Sequence, residues 1–493
     1  MKKHLILLSM IAALSLSGCN LSGEGSNGGG RKSGSSGNSN TSETSSSDDS
    51  SATSQPQTVD NDNFSIVMPS DVSSMSANCK QYVDDMREQQ ERLLDENGED
   101  ADYYLNDLFG AQGVDLTKGV AAGDNGGYRE SPETDGNEYL DDPAARWEDG
   151  EKSDENKGVN ISFEPSASLQ GKEYTISYSV NSDMSDAKTI VTSQKAVNLK
   201  NLLVNQKYYV KISADGKDSD VAEFTTGDYP RWINARPMFN VRDHGGYLVQ
   251  DGSNGAKRIK QGLVYRGGEI TPVENWKSGM SYRGDTGGRY VDSSNRMQDG
   301  HITTQNADSK KAFREEMGMV NGIEIDLRSS SERNGYTSCG FAENGDIAYT
   351  LKEINSYDSP MKDANKRALI KDVFNLIAQY TSEGHAVYYH CYGGADRTGT
   401  IGFLLGAVLG MSYTDLVIDF ELTSYSSNPS RNYRSHLRAG PYNYWPRMVS
   451  YLKDTLHWGT EKTIREYAEE FLVNNCSISS ETIQTIRNNM LED

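Results

Sequence analysis

The sequence predicts a multidomain chain in which an α/β domain, a central sheet flanked by helices, follows a small all-β sandwich and a disordered tether. Three observations predict this order. An apolar N-terminal stretch leads into a Ser/Gly-rich segment, period-two alternation begins near residue 158, and a helix, strand, loop and second helix follow one another over residues 369–409. The length of 493 residues fits two or three domains.

The composition excludes several classes of protein. Asp and Glu number 71 against 49 Lys and Arg, and nowhere do basic residues cluster as a nucleic-acid backbone requires. After the N-terminus, no apolar run approaches the roughly 18–20 residues that span a bilayer. Five cysteines are too few for a disulfide scaffold. We therefore expect no nucleic-acid partner and no integral membrane domain.

Residues 1–19 predict an export signal. Lys2 and Lys3 precede an apolar stretch, and Leu16 to Cys19 (LSGC) resembles a bacterial lipobox, whose cysteine is lipidated after cleavage. An ordinary signal peptide with a chance cysteine is the alternative. We expect Cys19 to be lipidated and the protein to be anchored by lipid in a membrane of the cell envelope or at the cell surface.

Two segments without a predicted fold follow the export signal. Residues 20–60 are rich in Ser, Gly, Asn and Thr and predict a disordered linker, because they offer too few apolar groups to offset the entropy of ordering. Residues 61–157 are acidic and have no assigned role. A helix is predicted there at about 77–94, since Tyr82 and Met86 recur at helical spacing.

Residues 158–228 predict a small antiparallel sandwich. Alternating apolar residues occur in four runs separated by turn-forming residues, at 159–163, 174–180, 208–214 and 221–226. The segment from Leu202 to Tyr208 resembles the tyrosine corner of fibronectin type III domains, where a tyrosine hydroxyl ties back to the preceding turn. We expect a structural spacer, with contact to another protein or a glycan as the alternative role.

The segment most informative about chemistry is residues 386–400 (AVYYHCYGGADRTGT). A buried strand at 386–389 and a helix from 398 to 409 leave Cys391 to Arg397 as a turn at a helix N-terminus. Such a loop binds anions, because its N–H groups and the helix dipole face the same point. The same field favours the thiolate of Cys391, and Arg397 offers a planar fork for two phosphate oxygens.

The pattern His-Cys-x5-Arg-Thr is the signature loop of the cysteine-dependent phosphatases. Three motifs precede it in the order seen in bacterial tyrosine-phosphatase-like proteins, which are protein tyrosine/serine phosphatases: NVRDHGGY at 240–247, GLVYRG at 262–267, and GIEIDLR at 322–328 with Glu332. The resemblance extends from about residue 239 to 490. His244 replaces the usual Leu, and Ala395 replaces a Lys associated with additional anionic charge on the substrate, which disfavours lipid phosphates.

The resemblance implies a phosphomonoesterase that uses neither metal nor cofactor and passes through a cysteinyl-phosphate. Cys391 is the expected nucleophile, and the Thr398 hydroxyl would stabilise its thiolate as it leaves. His390 would orient the loop. The expected phosphate-binding residues are Tyr392, Gly393, Gly394, Ala395, Asp396 and Arg397.

Two aspartates compete for the role of general acid. Asp358 lies upstream of the nucleophile and resembles the acid loop of tyrosine and dual-specificity phosphatases; a plain turn residue is its alternative. Asp396 lies inside the phosphate loop and matches the bacterial subfamily, which favours it slightly.

Six further residues have open roles. Arg242, Asp243 and Arg328 either brace the phosphate loop or close ion pairs beneath it. The sequence does not settle whether any two of Cys79, Cys339 and Cys476 pair.

The predicted function of residues 229–493 is therefore that of a protein tyrosine or dual-specificity phosphatase, with a phosphorylated protein or small molecule as substrate. A non-catalytic surface binding or adhesion protein with a degenerate domain is one alternative. A phosphatase of inositol, lipid or sugar phosphates is another. The upstream motifs disfavour an arsenate reductase or sulfurtransferase. We expect the insertion at 274–306 to form the rim of the substrate site.

Overall fold

The structure is a computed structural model that describes part of the chain, and all that follows concerns that part. The described residues are 58–77, 79–84, 86–88, 156–250, 255–270, 281–282, 290–291, 297–298, 304–333, 335–426, 448–449, 451–452 and 463–492. The predicted export signal, Cys19, most of the linker and most of the 274–306 insertion lie outside these ranges. Among the described helices, none is long and apolar enough to cross a membrane.

The first described domain is a β-sandwich of two antiparallel sheets. One sheet has the strand order β1-β2-β3-β6, and the other has the order β5-β4-β7-β8, with β9 also paired to β7. The strands are β1 (Thr58–Asp60), β2 (Phe64–Val67), β3 (Val159–Pro165), β4 (Tyr174–Ser179), β5 (Lys188–Thr192), β6 (Ala196–Leu199), β7 (Lys207–Ala214), β8 (Lys217–Asp218) and β9 (Ala222–Thr225).

The sandwich begins earlier in the chain than the predicted boundary at residue 158. Strand β2 pairs with β3 in the register Ile66 to Phe163, and Phe64 and Ile66 are buried in the shared core. Residues 58–67 therefore belong to the sandwich, and the acidic region is an insertion between β2 and β3. The predicted tyrosine tie-back is present, because the Leu203 amide donates to the Tyr208 hydroxyl at 2.9 Å.

The second domain is built on a central five-stranded sheet with the order β10-β13-β19-β17-β18. Strands β13, β19, β17 and β18 are parallel, and β10 is antiparallel at the edge. The strands of this domain are β10 (Arg242–Asp243), β11 (Leu248–Gln250), β12 (Ala256–Ile259), β13 (Val264–Gly267), β14 (Ser281–Tyr282), β15 (Tyr290–Val291), β16 (Met297–Gln298), β17 (Ile323–Asp326), β18 (Ala348–Leu351), β19 (Val387–His390) and β20 (Leu491–Glu492).

Helices cover both faces of this sheet, as predicted. They are α1 (Ala307–Lys311) with a π-helical turn (Ala312–Glu316), α2 (Asp358–Lys362), α3 (Ala364–Ser382), α4 (Asp396–Leu409), α5 (Tyr413–Glu421) with a 3-10 turn (Leu422–Tyr425), α6 (Ile464–Glu470) with a π-helical turn (Phe471–Asn475), and α7 (Ser480–Met490). Along β19, Val387 and Tyr389 pack against α3 and α4, while Tyr388 faces Phe313 on the other side.

The acidic region contributes one element to the second domain. Residues 77–88, except the undescribed 78 and 85, are helical, and Tyr82, Val83 and Met86 are fully buried in the core beside α5. The Tyr82 ring lies 5.5 Å from the Tyr425 ring. The domain therefore draws on residues well before the predicted start at 229.

The two domains share a buried polar interface. Arg231 donates to the carbonyls of Leu202 and Asn201, both at 3.0 Å, and pairs with Asp243 at 2.6 Å. Gln261 exchanges two hydrogen bonds with the backbone of Val204. Because a buried guanidinium must be fully paired, this contact fixes the sandwich against the α/β domain.

The four described cysteines are all free. Cys79, Cys339, Cys391 and Cys476 are each buried and form no disulfide. None of the three cysteines considered for pairing is therefore paired.

Candidate active site

The predicted phosphate loop lies at the carboxyl edge of the central sheet. The ends of three parallel strands are in register there, because Gly267 and Asp326 both stand beside His390. The chain leaves β19 at His390 and enters α4 at Asp396, two residues earlier than the predicted helix start. The loop therefore occupies the position where parallel α/β sheets bind ligands.

The loop carbonyls point away from its centre. Donors outside the loop bind three of them: the Glu269 amide binds Tyr392 O at 3.1 Å, Asn240 Nδ2 binds Gly393 O at 3.0 Å, and Arg266 Nη2 binds Gly394 O at 3.1 Å. A peptide's N–H and C=O point in opposite directions. The amides of Gly393, Gly394 and Ala395 are therefore turned towards the inside of the loop.

Gly394 is required at its position for two reasons. Its φ is +66°, a conformation that residues with a Cβ rarely adopt. A Cβ there would also lie 2.5–2.7 Å from the backbone of Gly267 and Gly268. Because Gly394 has no side chain, the backbone of the loop packs directly against the end of β13.

A buried ion cluster holds the donors that brace the loop. Asp419 pairs with Arg266 and Arg242, and Arg242 also donates to Asn240 Oδ1. Burial would raise the pKa of Asp419, but the two guanidinium groups lower it to about 2. The cluster orients Asn240 and Arg266, the two side chains that hold Gly393 and Gly394.

The three predicted bracing residues act less directly than expected. Arg242 works through Asn240. Arg328 pairs with Asp326 and Glu269, both at 2.7 Å, and Glu269 holds the loop through its backbone amide. Asp243 accepts from Arg231 and from the amides of Gly245 and Gly262, none of which belongs to the loop. For Asp243 the contacts fit the second of the two open roles, because its carboxylate forms an ion pair with Arg231 at the domain interface.

Arg397 forms a bidentate pair with Glu332. Nη1 and Nη2 each lie 2.6 Å from a carboxylate oxygen of Glu332. The hydrogen bond from Arg397 is the main cause that lowers the pKa of Glu332 to about 2, and the amide and hydroxyl of Ser329 add to it. The pair fixes the plane of the guanidinium at the N-terminus of α4.

Cys391, the predicted nucleophile, and Thr398, whose hydroxyl is expected to stabilise its thiolate, are both buried. Cys391 is 2% exposed at the end of β19. Thr398 is fully buried on the first turn of α4, and within the described residues its hydroxyl has no hydrogen-bond partner. An unsatisfied buried hydroxyl is costly, so this group is available to a ligand or to a departing thiolate.

The two candidate acids have different surroundings. Asp396 is half-buried at the first position of α4 and accepts a hydrogen bond from the Tyr357 hydroxyl. Asp358 is 4% exposed at the start of α2 and pairs with Lys362 at 2.7 Å. Tyr357 itself has a φ of +61°, a strained backbone for an aromatic residue. Of the two candidate acids, Asp396 is therefore the one that lies in the loop itself.

His390 belongs to a buried polar network. Its Nδ1 lies 3.1 Å from the Cys391 carbonyl, and its Nε2 lies 2.8 Å from Glu324 Oε1. Ligand atoms of Glu324, Asp326 and His390 lie within 4.8 Å of one another, a spacing that could hold a metal ion. The Arg328 guanidinium and the Tyr349 hydroxyl, however, donate to Asp326, so protein donors already satisfy this carboxylate. We read the group as a hydrogen-bond network.

Sequence reasoning missed several residues of the site. Asn240 and Arg266 lie inside the motifs that it quoted, but their contacts with the loop depend on the fold. Glu324 and Asp419 had one available signal, a charged residue inside an otherwise apolar strand or helix face. Tyr357 had none.

The fold and the site together define a class of protein, an α/β domain with a cysteine-bearing loop between the end of a parallel strand and a helix N-terminus. In a comparison with family models, residues 300–492 match the model of the tyrosine phosphatase family. The match covers less than half of the chain and includes the phosphate loop. It supports a phosphatase, a hydrolase of phosphoric monoesters. No curated protein matches the chain.

Proposed function

We propose that the C-terminal domain is a cysteine-dependent protein tyrosine or dual-specificity phosphatase. One observation carries the proposal: the carbonyls of Tyr392, Gly393 and Gly394 are tied outward, so that successive amides face the point above Cys391. Together with the dipole of the 14-residue helix α4 and the N–H groups of Arg397 that do not bind Glu332, these amides form a site for a dianionic phosphate.

The proposed reaction has two steps. The Cys391 thiolate attacks phosphorus, the ester P–O bond breaks, and Asp396 gives its proton to the departing oxygen. Water then attacks the cysteinyl-phosphate while Asp396, now ionised, takes a proton from it. The S–P bond breaks, and the Thr398 hydroxyl stabilises the thiolate that re-forms. The inward amides and Arg397 stabilise the charge on the equatorial oxygens in both steps.

The proposed substrates carry little charge beyond the phosphate itself. Ala395 stands in the loop where a lysine would attract further anionic groups. The one basic residue among residues 391–397, Arg397, is paired with Glu332. We therefore favour phosphorylated proteins over inositol or lipid phosphates.

Replacement of the nucleophile tests the chemistry. Cys391→Ser should reduce the turnover of an aryl phosphate by at least about 10³-fold while phosphate binding persists, because an alcohol is a far weaker nucleophile than a thiolate. Vanadate should inhibit the wild type, and a chelator should not. Full activity of Cys391→Ser, or loss of wild-type activity in the chelator alone, would refute the proposed mechanism.

A further inference from the structure

Tyr357 has a backbone conformation that tyrosine rarely adopts. Its φ is +61° and its ψ is −129°, at the position just before α2. Glycine adopts such angles freely, whereas a residue with a Cβ adopts them only where its surroundings hold it in place. A tyrosine here is therefore strained, and strain of this kind is concentrated at functional sites.

Both the backbone and the side chain of Tyr357 are bound to the N-terminal end of α4. The Tyr357 amide donates to the Thr400 hydroxyl at 2.7 Å, and the Tyr357 hydroxyl donates to Asp396 Oδ1. The Thr400 hydroxyl in turn donates to the Asp396 carbonyl at 2.9 Å. These contacts hold the strained residue, and all of them lead to the residue that begins the helix.

Packing also holds the phenol in place. The Tyr357 ring belongs to the main core of the α/β domain and is 9% exposed, whereas Asp396 is partly exposed. A side chain that is locked by packing keeps its polar atom at a fixed place. The structure thus sets a rigid hydroxyl beside a partly exposed carboxyl group.

The ring and the hydroxyl of Tyr357 make different contributions. The ring fills space in the core, which a phenylalanine would fill equally well. The hydroxyl adds the hydrogen bond to Asp396, the residue proposed as the general acid. A function that belongs to the hydroxyl therefore acts through Asp396.

We propose that Tyr357 is a positioning residue whose hydroxyl orients the carboxyl group of Asp396 for proton transfer. The inference rests on the proposed function, in which Asp396 is the general acid. The hydroxyl donates to Oδ1, and an oxygen that carries a proton is the poorer acceptor, so the acid proton lies on Oδ2. Oδ2 gives this proton to the departing ester oxygen, and the resulting carboxylate keeps its hydrogen bond to Tyr357.

The test is the steady-state kinetics of Tyr357→Phe in the full-length protein. Loss of one hydrogen bond to the acid should lower kcat for phosphotyrosine about 10-fold. For an activated nitrophenyl phosphate, which needs little protonation, kcat should change less than about 2-fold. An unchanged kcat for phosphotyrosine, or an equal loss on both substrates, would overturn the proposal.

Vanadate inhibition shows whether the phosphate site of Tyr357→Phe is intact. The hydroxyl is bound to the acid and not to the phosphate cradle, so the inhibition constant should stay within about 2-fold of the wild-type value. A loss of vanadate binding that matches the loss of kcat would indicate a disturbed loop and would overturn the proposal.

A double variant tests whether the hydroxyl acts through Asp396. In the Asp396→Asn background there is no acid to orient, so adding Tyr357→Phe should change kcat for phosphotyrosine less than about 2-fold. A further loss of about 10-fold would show that the hydroxyl acts independently of Asp396 and would overturn the proposal.

Tyr229→Phe is the matched control. It deletes the same kind of hydrogen bond, since the Tyr229 hydroxyl donates to Asp84 Oδ1 at 2.8 Å, and neither residue belongs to the phosphate loop. Both kcat values should therefore stay at the wild-type level. A leaving-group-dependent loss in Tyr229→Phe as large as that in Tyr357→Phe would overturn the proposal.

The inference and the proposed function can be seen to fail separately. A wild type that hydrolyses no phosphomonoester refutes the proposed function, and the inference falls with it. If the wild type is active and Asp396→Asn shows the leaving-group-dependent loss, an unaffected Tyr357→Phe overturns the role of Tyr357 alone.

Discussion

Asp396 and Asp358 each begin a helix, yet only one lies in the phosphate loop. Asp396 is next to Arg397 and is held by the Tyr357 hydroxyl, whereas Asp358 is buried against Lys362. A general acid must lie within reach of the leaving oxygen, and the place of Asp396 in the loop supports our proposal that it has this role.

Replacement of the two acids should have different effects on different leaving groups. Asp396→Asn should lower kcat by about 10²-fold or more for phosphotyrosine and by much less for an activated nitrophenyl ester, because a good leaving group needs little protonation. Steady-state kinetics on the two substrates measure this difference.

Asp358→Asn serves as the matched control and should keep most of the activity on both substrates. Because Asp396 adjoins Arg397, vanadate inhibition of Asp396→Asn shows whether the phosphate site is intact. A leaving-group-dependent loss in Asp358→Asn, with full activity in Asp396→Asn, would reverse the assignment.

At the residue scale, local spacing predicts the groups of the loop and little beyond them. Cys391 and Arg397 are six positions apart on a strand-to-helix turn, so the sequence alone places them together. Glu332 was quoted in a motif, but its bidentate contact with Arg397 joins segments that only the fold brings together. The same holds for Glu324 and His390, which meet across two adjacent strands.

At the scale of elements, the junction of β19, the loop and α4 depends on the Arg397–Glu332 pair for its alignment. Because Glu332 is partly exposed and solvent screens the pair, the ion pair should contribute about 1 kcal/mol to the free energy of unfolding, as surface ion pairs do. The pKa of Glu332, about 2, lies below the ordinary value of 4.5. Its stabilisation is therefore complete above about pH 4.5 and is lost as pH falls through about 2.

A comparison with Glu332→Gln tests this pH dependence. The wild type should exceed the variant in free energy of unfolding by about 1 kcal/mol at pH 7, and the difference should shrink as pH falls from 4.5 towards 2. Urea unfolding at several pH values measures it. A difference that grows on acidification would contradict the assigned ion pair.

Long helices and strands were predicted from the sequence more readily than short ones. Helix α3 has 19 residues and a regular apolar stripe, so its existence was predicted from periodicity. Strand β2 has four residues and lies far in sequence from its partner β3, so local alternation could not reveal the pairing. The predicted start of α4 was two residues too late, because Asp396 and Arg397 are polar and do not belong to the apolar pattern from which the helix was predicted.

At the scale of the whole molecule, the sandwich and the α/β domain form a joined unit. The buried contacts of Arg231 with Asn201, Leu202 and Asp243 cross the boundary, and the helix at 77–88 packs into the second core. The sequence predicted separate modules because such contacts leave no local pattern. The resemblance of the sandwich to fibronectin type III domains stays a prediction.

The proposed location is tested by Cys19→Ser. If Cys19 carries the lipid, this variant should move from the membrane fraction to the soluble or secreted fraction, because it lacks the thiol to which the lipid is attached. Fractionation followed by immunoblotting measures the change, with Cys79→Ser as a cysteine control that should stay in the membrane fraction. Membrane retention of Cys19→Ser would reject the lipid anchor.

The most direct test of the central claim is to trap the covalent intermediate. The protein is mixed with phosphotyrosine labelled at phosphorus, quenched by rapid denaturation and mapped by peptide mass spectrometry. We expect the phosphoryl group on Cys391. With a labelled activated nitrophenyl phosphate as donor, we expect more of it in Asp396→Asn, because formation from that donor needs little protonation while hydrolysis lacks its base. Turnover with no phosphorylated Cys391, or with the label on another residue, would contradict the account.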